Sequence, residues 1–309
     1  MKYLVALTAV GGRDALGLGQ MLARTGDITL TVCVVVPRTW DYPSPARVDA
    51  EYAAFLKQYA EDAIAEAREF LGDEVRAEYT TSSASSASEG LIATATEADA
   101  ALIALGSARH GPLGRITVGG IANEMLHTSP VPVALAPRGY RPSSGARLRH
   151  VTCAFSGSIQ SRSAFDAAVQ LSRRHAVPLR LTTFVIRDRQ MYPSQVGYDA
   201  GRLVVEQWRA QAREAQEKAL ATLPDDVAVE TGIVEGRDWE EALDSLPWEE
   251  SEVLVVGSSR LGPVARVFLG SNSTKIIRSA PVPVLVIPRS ADVHLEDTAP
   301  AAQGFERER

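Results

Sequence analysis

The chain has 309 residues, 45% of them hydrophobic and 23% charged, with a formal net charge of −6. That balance suits a folded globular protein, and its acidic excess argues against a nucleic-acid partner, which needs clustered positive charge. No apolar run approaches the roughly 18 residues that cross a bilayer, and the start MKYLVALTAVGG is broken too early by glycine for a signal peptide; the expected location is cytoplasmic, with no membrane insertion.

From the amino terminus, YLVALT reads as a strand, residues 13–24 as a helix, and ITLTVCVVV as a strand whose unbroken apolar character suits burial on both faces. A long helix follows over residues 48–71, with Tyr52, Phe55, Tyr59, Ala63, Ala67 and Phe70 at three- and four-residue steps and Gly72 as its stop. EVRAEYT is the third strand, and TTSSASSASEG leads into a helix over residues 88–97 through serines read as caps rather than as modification sites. ALIALG, a glycine-rich loop, a helix running through Glu124 and the strand VPVALA complete this half. After RGYRPSSGAR, which has linker chemistry, the order repeats: HVTCAF, a helix over 161–175, PLRLTTFVI, a helix over 201–220, VAVETGIV, a helix over 239–246, EVLVVG, a helix over 274–279 and VPVLVI.

The repetition is visible at the residue level. Residues 106–138 align without a gap to 257–289 and match at 13 of 33 positions, where chance gives about two. The chain therefore reads as a tandem duplication: a first domain at 1–139, a linker at 140–147, a second domain at 148–289 and a disordered tail at 290–309. Strands separated by helices run parallel with right-handed crossovers. Each half is thus expected to be an α/β, Rossmann-like doubly wound domain with a five-stranded parallel sheet of order 3-2-1-4-5. Ligands in such sheets sit at the carboxyl ends of strands one and four, where the winding reverses.

The loop after strand four is the candidate binding element. Glycines let backbone N–H groups approach phosphate oxygens, and the helix behind them offers unpaired N–H groups and a positive dipole end. In the second half Gly257, Gly262 and Gly270 precede Ser271; in the first, Gly106, Gly111 and Gly119 precede Gly120. Taken alone, such a loop is equally a turn followed by a capped helix.

With its tandem copies, glycine loops and PVPV strands, the chain over residues 2–289 resembles the universal stress protein family. Nucleotide-binding members carry glycine, two residues, glycine, nine residues, glycine and then serine or threonine. Here Gly257, Gly270 and Ser271 fit, while Arg260 and its counterpart Arg109 stand at the second glycine, Gly120 at the first-half hydroxyl position, and Thr8 and Ser156 where an acidic residue ends strand one. The resemblance implies ATP or a related adenine nucleotide as ligand, with magnesium as its companion ion. It assigns to that ligand Ser156, Val185, Gly257, Ser258, Arg260, Gly262, Gly270 and Ser271 in the second half, and Thr8, Val35, Gly106, Arg109, Gly111 and Gly119 in the first. The fuller motif makes the second half the expected stronger binder. The two arginines either fork onto phosphate or pair with a carboxylate of the other half.

Other residues carry plainer readings. Cys33 and Cys153 lie in different halves within strands, as small core residues rather than a disulfide, and the five histidines show no metal-ligand spacing. FSGSIQS faintly resembles a pyrophosphatase loop but lacks its second glycine and aspartate. Trp208, Trp239 and Trp248 read as packing residues, and PRTWDYPSP and RDRQMYPSQ as loops over the ligand site. No nucleophile, base and acid fall into a catalytic arrangement, so binding is expected rather than catalysis, either of nucleotide or, alternatively, of an unknown protein partner as an adaptor. Exposed strand-five edges predict self-association, as a homodimer or between the halves of one chain.

Overall fold

The computed structural model describes residues 1–7, 12–25, 27–38, 47–187, 198–258 and 271–288. Thr8, Arg260, Gly262 and Gly270, most of both strand-two loops and the 290–309 tail lie outside them. The first half runs β1 (Lys2–Leu7), α1 (Arg13–Ala23), β2 (Thr29–Pro37), α2 (Arg47–Leu71), β3 (Arg76–Ala84), α3 (Ala87–Glu97), β4 (Ala100–Gly106), α4 (Gly120–Thr128) and β5 (Val133–Ala136). The second runs β6 (His150–Ala154), α5 (Ile159–His175), β7 (Leu179–Ile186), α6 (Tyr198–Leu220), β8 (Val229–Gly236), α7 (Trp239–Asp244), β9 (Glu252–Gly257), α8 (Ser271–Ser279) and β10 (Val284–Ile287). Every expected element is present, with its ends moved by a few residues. The serine reading before α3 holds: Ser86 Oγ accepts from Glu89 N at 3.1 Å, and Glu89 reaches back to Ser85 N at 3.2 Å, a reciprocal cap; the Ser85 hydroxyl and then its amide, both donating to Glu89, hold that carboxyl below its ordinary value.

Each half has the expected strand order, but the two sheets are one. The order is β3-β2-β1-β4-β5-β10-β9-β6-β7-β8, parallel within each half. At the centre β5 and β10 pair antiparallel, with Val133 opposite Val286 and Leu135 opposite Val284. Of the two expectations for the strand-five edges, pairing between the halves of one chain is the one observed; a homodimer through these edges is set aside, because each is occupied by the other, and the edges left at the rim are β3 and β8. Buried apolar residues from both halves, among them Leu4, Ile103, Leu135, Leu254 and Val284, form a core continuous across the junction. Cys33 is free and fully buried in it, and Cys153 is free and fully buried in the second core cluster, with Val151, Phe165 and Val255. Trp239 packs at 5.7 Å from Phe184, and Trp248 donates to Leu243 O.

Contacts beyond the sheet tie the halves together. Ser143, in the segment between β5 and β6, donates from N and Oγ to Glu250 at 2.9 and 2.6 Å. Arg24 donates to Ala146 O at 3.1 Å. Arg115 of the first-half glycine loop holds both carboxylate oxygens of Asp244, at the end of α7, at 2.8 and 3.1 Å. His175, 5% exposed at the end of α5, lies 2.6 Å through Nδ1 from Thr25 Oγ1 of the first half. Its Nε2 has no partner among the described residues.

Burial, assisted by the neighbouring Arg174 charge, lowers the His175 pKa from 6.5 to about 4. The folded state therefore favours the neutral ring. The resulting stability is full above pH 6.5 and is lost as the pH falls through 4, an expected loss of about 3 kcal/mol. Urea titrations of wild type and His175→Asn between pH 7 and 4 measure it as a shrinking stability difference between the two proteins; a difference independent of pH contradicts the assignment.

Candidate functional site

A cleft of about 790 Å³ opens at the carboxyl ends of β1 and β4, where Leu7 and Gly106 line its floor. This is the crossover point at which doubly wound sheets bind ligands. Two helices begin at the same place. Gly12, at φ 138° where a side chain would be strained, precedes α1, and Gly119 precedes α4; neither helix has a side-chain cap. By contrast α3, α5 and α7 are capped by Ser86, Ser158 and Asp238. Among the described residues the first N–H groups of α1 and α4 thus receive no side-chain cap, at the positive ends of two helix dipoles.

The charged walls come from four segments. Arg13 pairs with Glu66, and Arg141 donates to Asp14 Oδ1 at 3.0 Å. Arg138 donates to the carbonyl of Gly111. Arg109 is exposed and forms no ion pair with a described residue. Four guanidiniums thus face two carboxylates, a local positive excess in a chain of net charge −6, and such a cleft attracts anions.

The glycine loop is folded on itself. Thr117 N donates to Ser107 Oγ at 2.8 Å and Ala108 N to Thr117 O at 2.9 Å. Gly114 N donates to Arg138 O, and Arg138 N to Arg115 O. A Cβ on Gly111 would lie 1.9 Å from Thr117 Oγ1, so this glycine makes room for the loop's own packing. The structure brings Val35, Gly106, Arg109, Gly119 and Gly120 to one cleft and leaves Gly111 out of its lining. Of the two uses expected for the repeated arginine, pairing with the other half falls to Arg115 instead of Arg109.

In the second half Val185 is buried, and Ser258 is 2% exposed with its N donating to Ile287 O at 3.0 Å. Ser156 Oγ lies 2.9 Å from Ser158 Oγ, the α5 cap. Ser271 is exposed as the first residue of α8, and Ser273 Oγ donates to the carbonyl of Gly257 at 2.8 Å.

The sequence reading missed Asp14, Arg138 and Arg141. For Arg138 a signal was present: of the arginines that recur at equivalent places in the two copies, 109 with 260, 115 with 266 and 138 with 289, only the first pair was singled out. Asp14 and Arg141 stand 127 residues apart and carry no periodicity that could join them.

Known proteins place this architecture. The universal stress protein family model matches residues 2–137 and again 147–288. Universal stress proteins of Mycobacterium tuberculosis and Mycobacterium bovis are each 42% identical over 282 residues, covering 90% of this chain and 96% of theirs. The crystal structure of a universal stress protein from Archaeoglobus fulgidus superposes with a TM-score of 0.58 at 19% identity, over 93% of this chain and 98% of that one, a likeness of fold.

Two glycines of the site should respond oppositely to alanine. Gly111→Ala forces Thr117 to move and is expected to cost about 1–3 kcal/mol. Gly120→Ala enters open space at the start of α4 and is expected to gain about 0.5 kcal/mol. Urea midpoints of the two variants check both signs.

Proposed function

This chain belongs to the universal stress protein family, and on that footing we propose that it binds ATP or a related adenine nucleotide and presents its occupancy to protein partners in the cytoplasm. The observation that carries the reading is the first-half cleft: two helix starts without side-chain caps, and Arg109, which forms no ion pair among the described residues, converge where the sheet reverses its winding. Helix N–H groups and a guanidinium fork are the donors a phosphate chain needs. Asp14 and Glu66, the carboxylates of the cleft, are both taken by arginines; magnesium would enter on the phosphate oxygens, with one or two carboxylates at most.

The reading assigns a second and tighter site to the second half, on the strength of Gly257, Gly262, Gly270 and Ser271. It assigns no catalytic step. A second reading, in which the chain serves only as a protein-interaction module, draws support from Leu113, 74% exposed at the cleft mouth, and from loop amides spent on internal hydrogen bonds.

Calorimetric titration with ATP and magnesium separates the two readings. Nucleotide binding predicts saturable heat, a roughly tenfold weaker second-half site in Ser271→Ala, and a comparable loss at the first-half site in Arg109→Ala. No heat up to millimolar ATP, with no nucleotide released on denaturing the purified protein, leaves the interaction module.

A further inference from the structure

The segment that joins the halves is built as part of the first-half cleft. Pro142 packs on α1 where Gly17 has no side chain: a Cβ there would lie 2.9 Å from Pro142 Cδ and 3.4 Å from Tyr140 O. One residue later, Ser143 is held to Glu250 of the second half through both N and Oγ. The main chain on both sides of Arg141 is therefore fixed, while its side chain, 45% exposed, enters the cleft wall. There its guanidinium meets Asp14, 18% exposed in the first turn of α1, and stands 5.8 Å from the Phe70 ring.

Asp14 thus sets a negative charge in the first turn of α1, near its positive dipole end, and Arg141 neutralises it. We infer that Arg141 is a phosphate-binding residue of the first-half cleft, held in reserve by Asp14, and that a bound phosphate takes the guanidinium over from that carboxylate. The inference rests on the nucleotide reading and adds to it a residue from outside both glycine motifs, one whose backbone is anchored to the second half. The exchange is of hydrogen bonds only. A half-exposed contact to a carboxylate, from a nitrogen that also donates to Tyr140 O at 2.8 Å, is worth little, whereas a fork onto a doubly charged phosphate, with Arg109 lining the same cleft, is a stronger pairing. Because residues 140–143 touch α1 and Glu250 at once, the same exchange connects first-half occupancy to the contact between the halves.

The test reads the first-half site locally, through hydrogen exchange of residues 119–123 in the full chain titrated with ATP or adenosine. Arg141→Ala is expected to weaken the ATP isotherm about tenfold and to leave the adenosine isotherm unchanged. Arg141→Lys, which keeps the charge and loses the fork, should recover part of the affinity, and Asp14→Asn, which removes the competing negative charge, should tighten ATP binding. An unchanged ATP isotherm in Arg141→Ala, equal losses for ATP and adenosine, or unchanged or weaker ATP binding in Asp14→Asn each overturns the exchange while leaving nucleotide binding intact. Residues 119–123 that ignore ATP in the wild-type protein overturn the nucleotide reading of this cleft, and this inference with it.

Discussion

The antiparallel pairing of β5 with β10 is the constraint on which the rest of the structure depends. An edge strand offers a row of unpaired N–H and C=O groups, and a doubly wound domain ending in an apolar VPVALA or VPVLVI strand has such an edge at its end. Duplication within one chain supplies two of them, and each satisfies the other. Ten strands then share one sheet, and two core clusters each draw residues from both halves, with Leu135 and Val284 buried at the seam.

That junction decides where the charged groups of the first half find partners. Because β10 lies against β5, α7 comes within reach of the first glycine loop, and Arg115 closes on Asp244. The loop is held from a second side by Arg138, which follows β5 directly and bonds the Gly111 carbonyl. The joining segment runs along α1 on its way to β6 and leaves Arg141 in the cleft wall. The cleft is thus made by the first half and shaped by how the second is attached. Two contacts run from the segments around the cleft to the other half, Arg115 with Asp244 and Ser143 with Glu250.

Strand and helix identity were legible in the sequence because periodicity and the internal repeat report burial, and burial dictates the layers. The site was legible where backbone does the work: Gly106 and Gly119 lie at the cleft as the loop pattern predicts. It was not legible where side chains from distant segments meet. The pairing of Arg141 with Asp14 depends on the path of the chain between the halves, and the closeness of Gly111 to Thr117 on how the loop folds. The strand-five edges show the same limit. Their need for a partner is a sequence property, while the pairing of each with the other half of the same chain depends on how the two halves come together in three dimensions.

Cysteine cross-linking tests the junction most directly. Val133→Cys with Val286→Cys places two thiols opposite each other in the observed register, at a separation that suits a disulfide. Oxidised in dilute solution and run without reductant after denaturation, the protein should migrate as a single cross-linked chain, faster than its reduced form. Covalent dimers would contradict the account, because they would show that β5 and β10 pair between chains and that the two halves do not share one sheet.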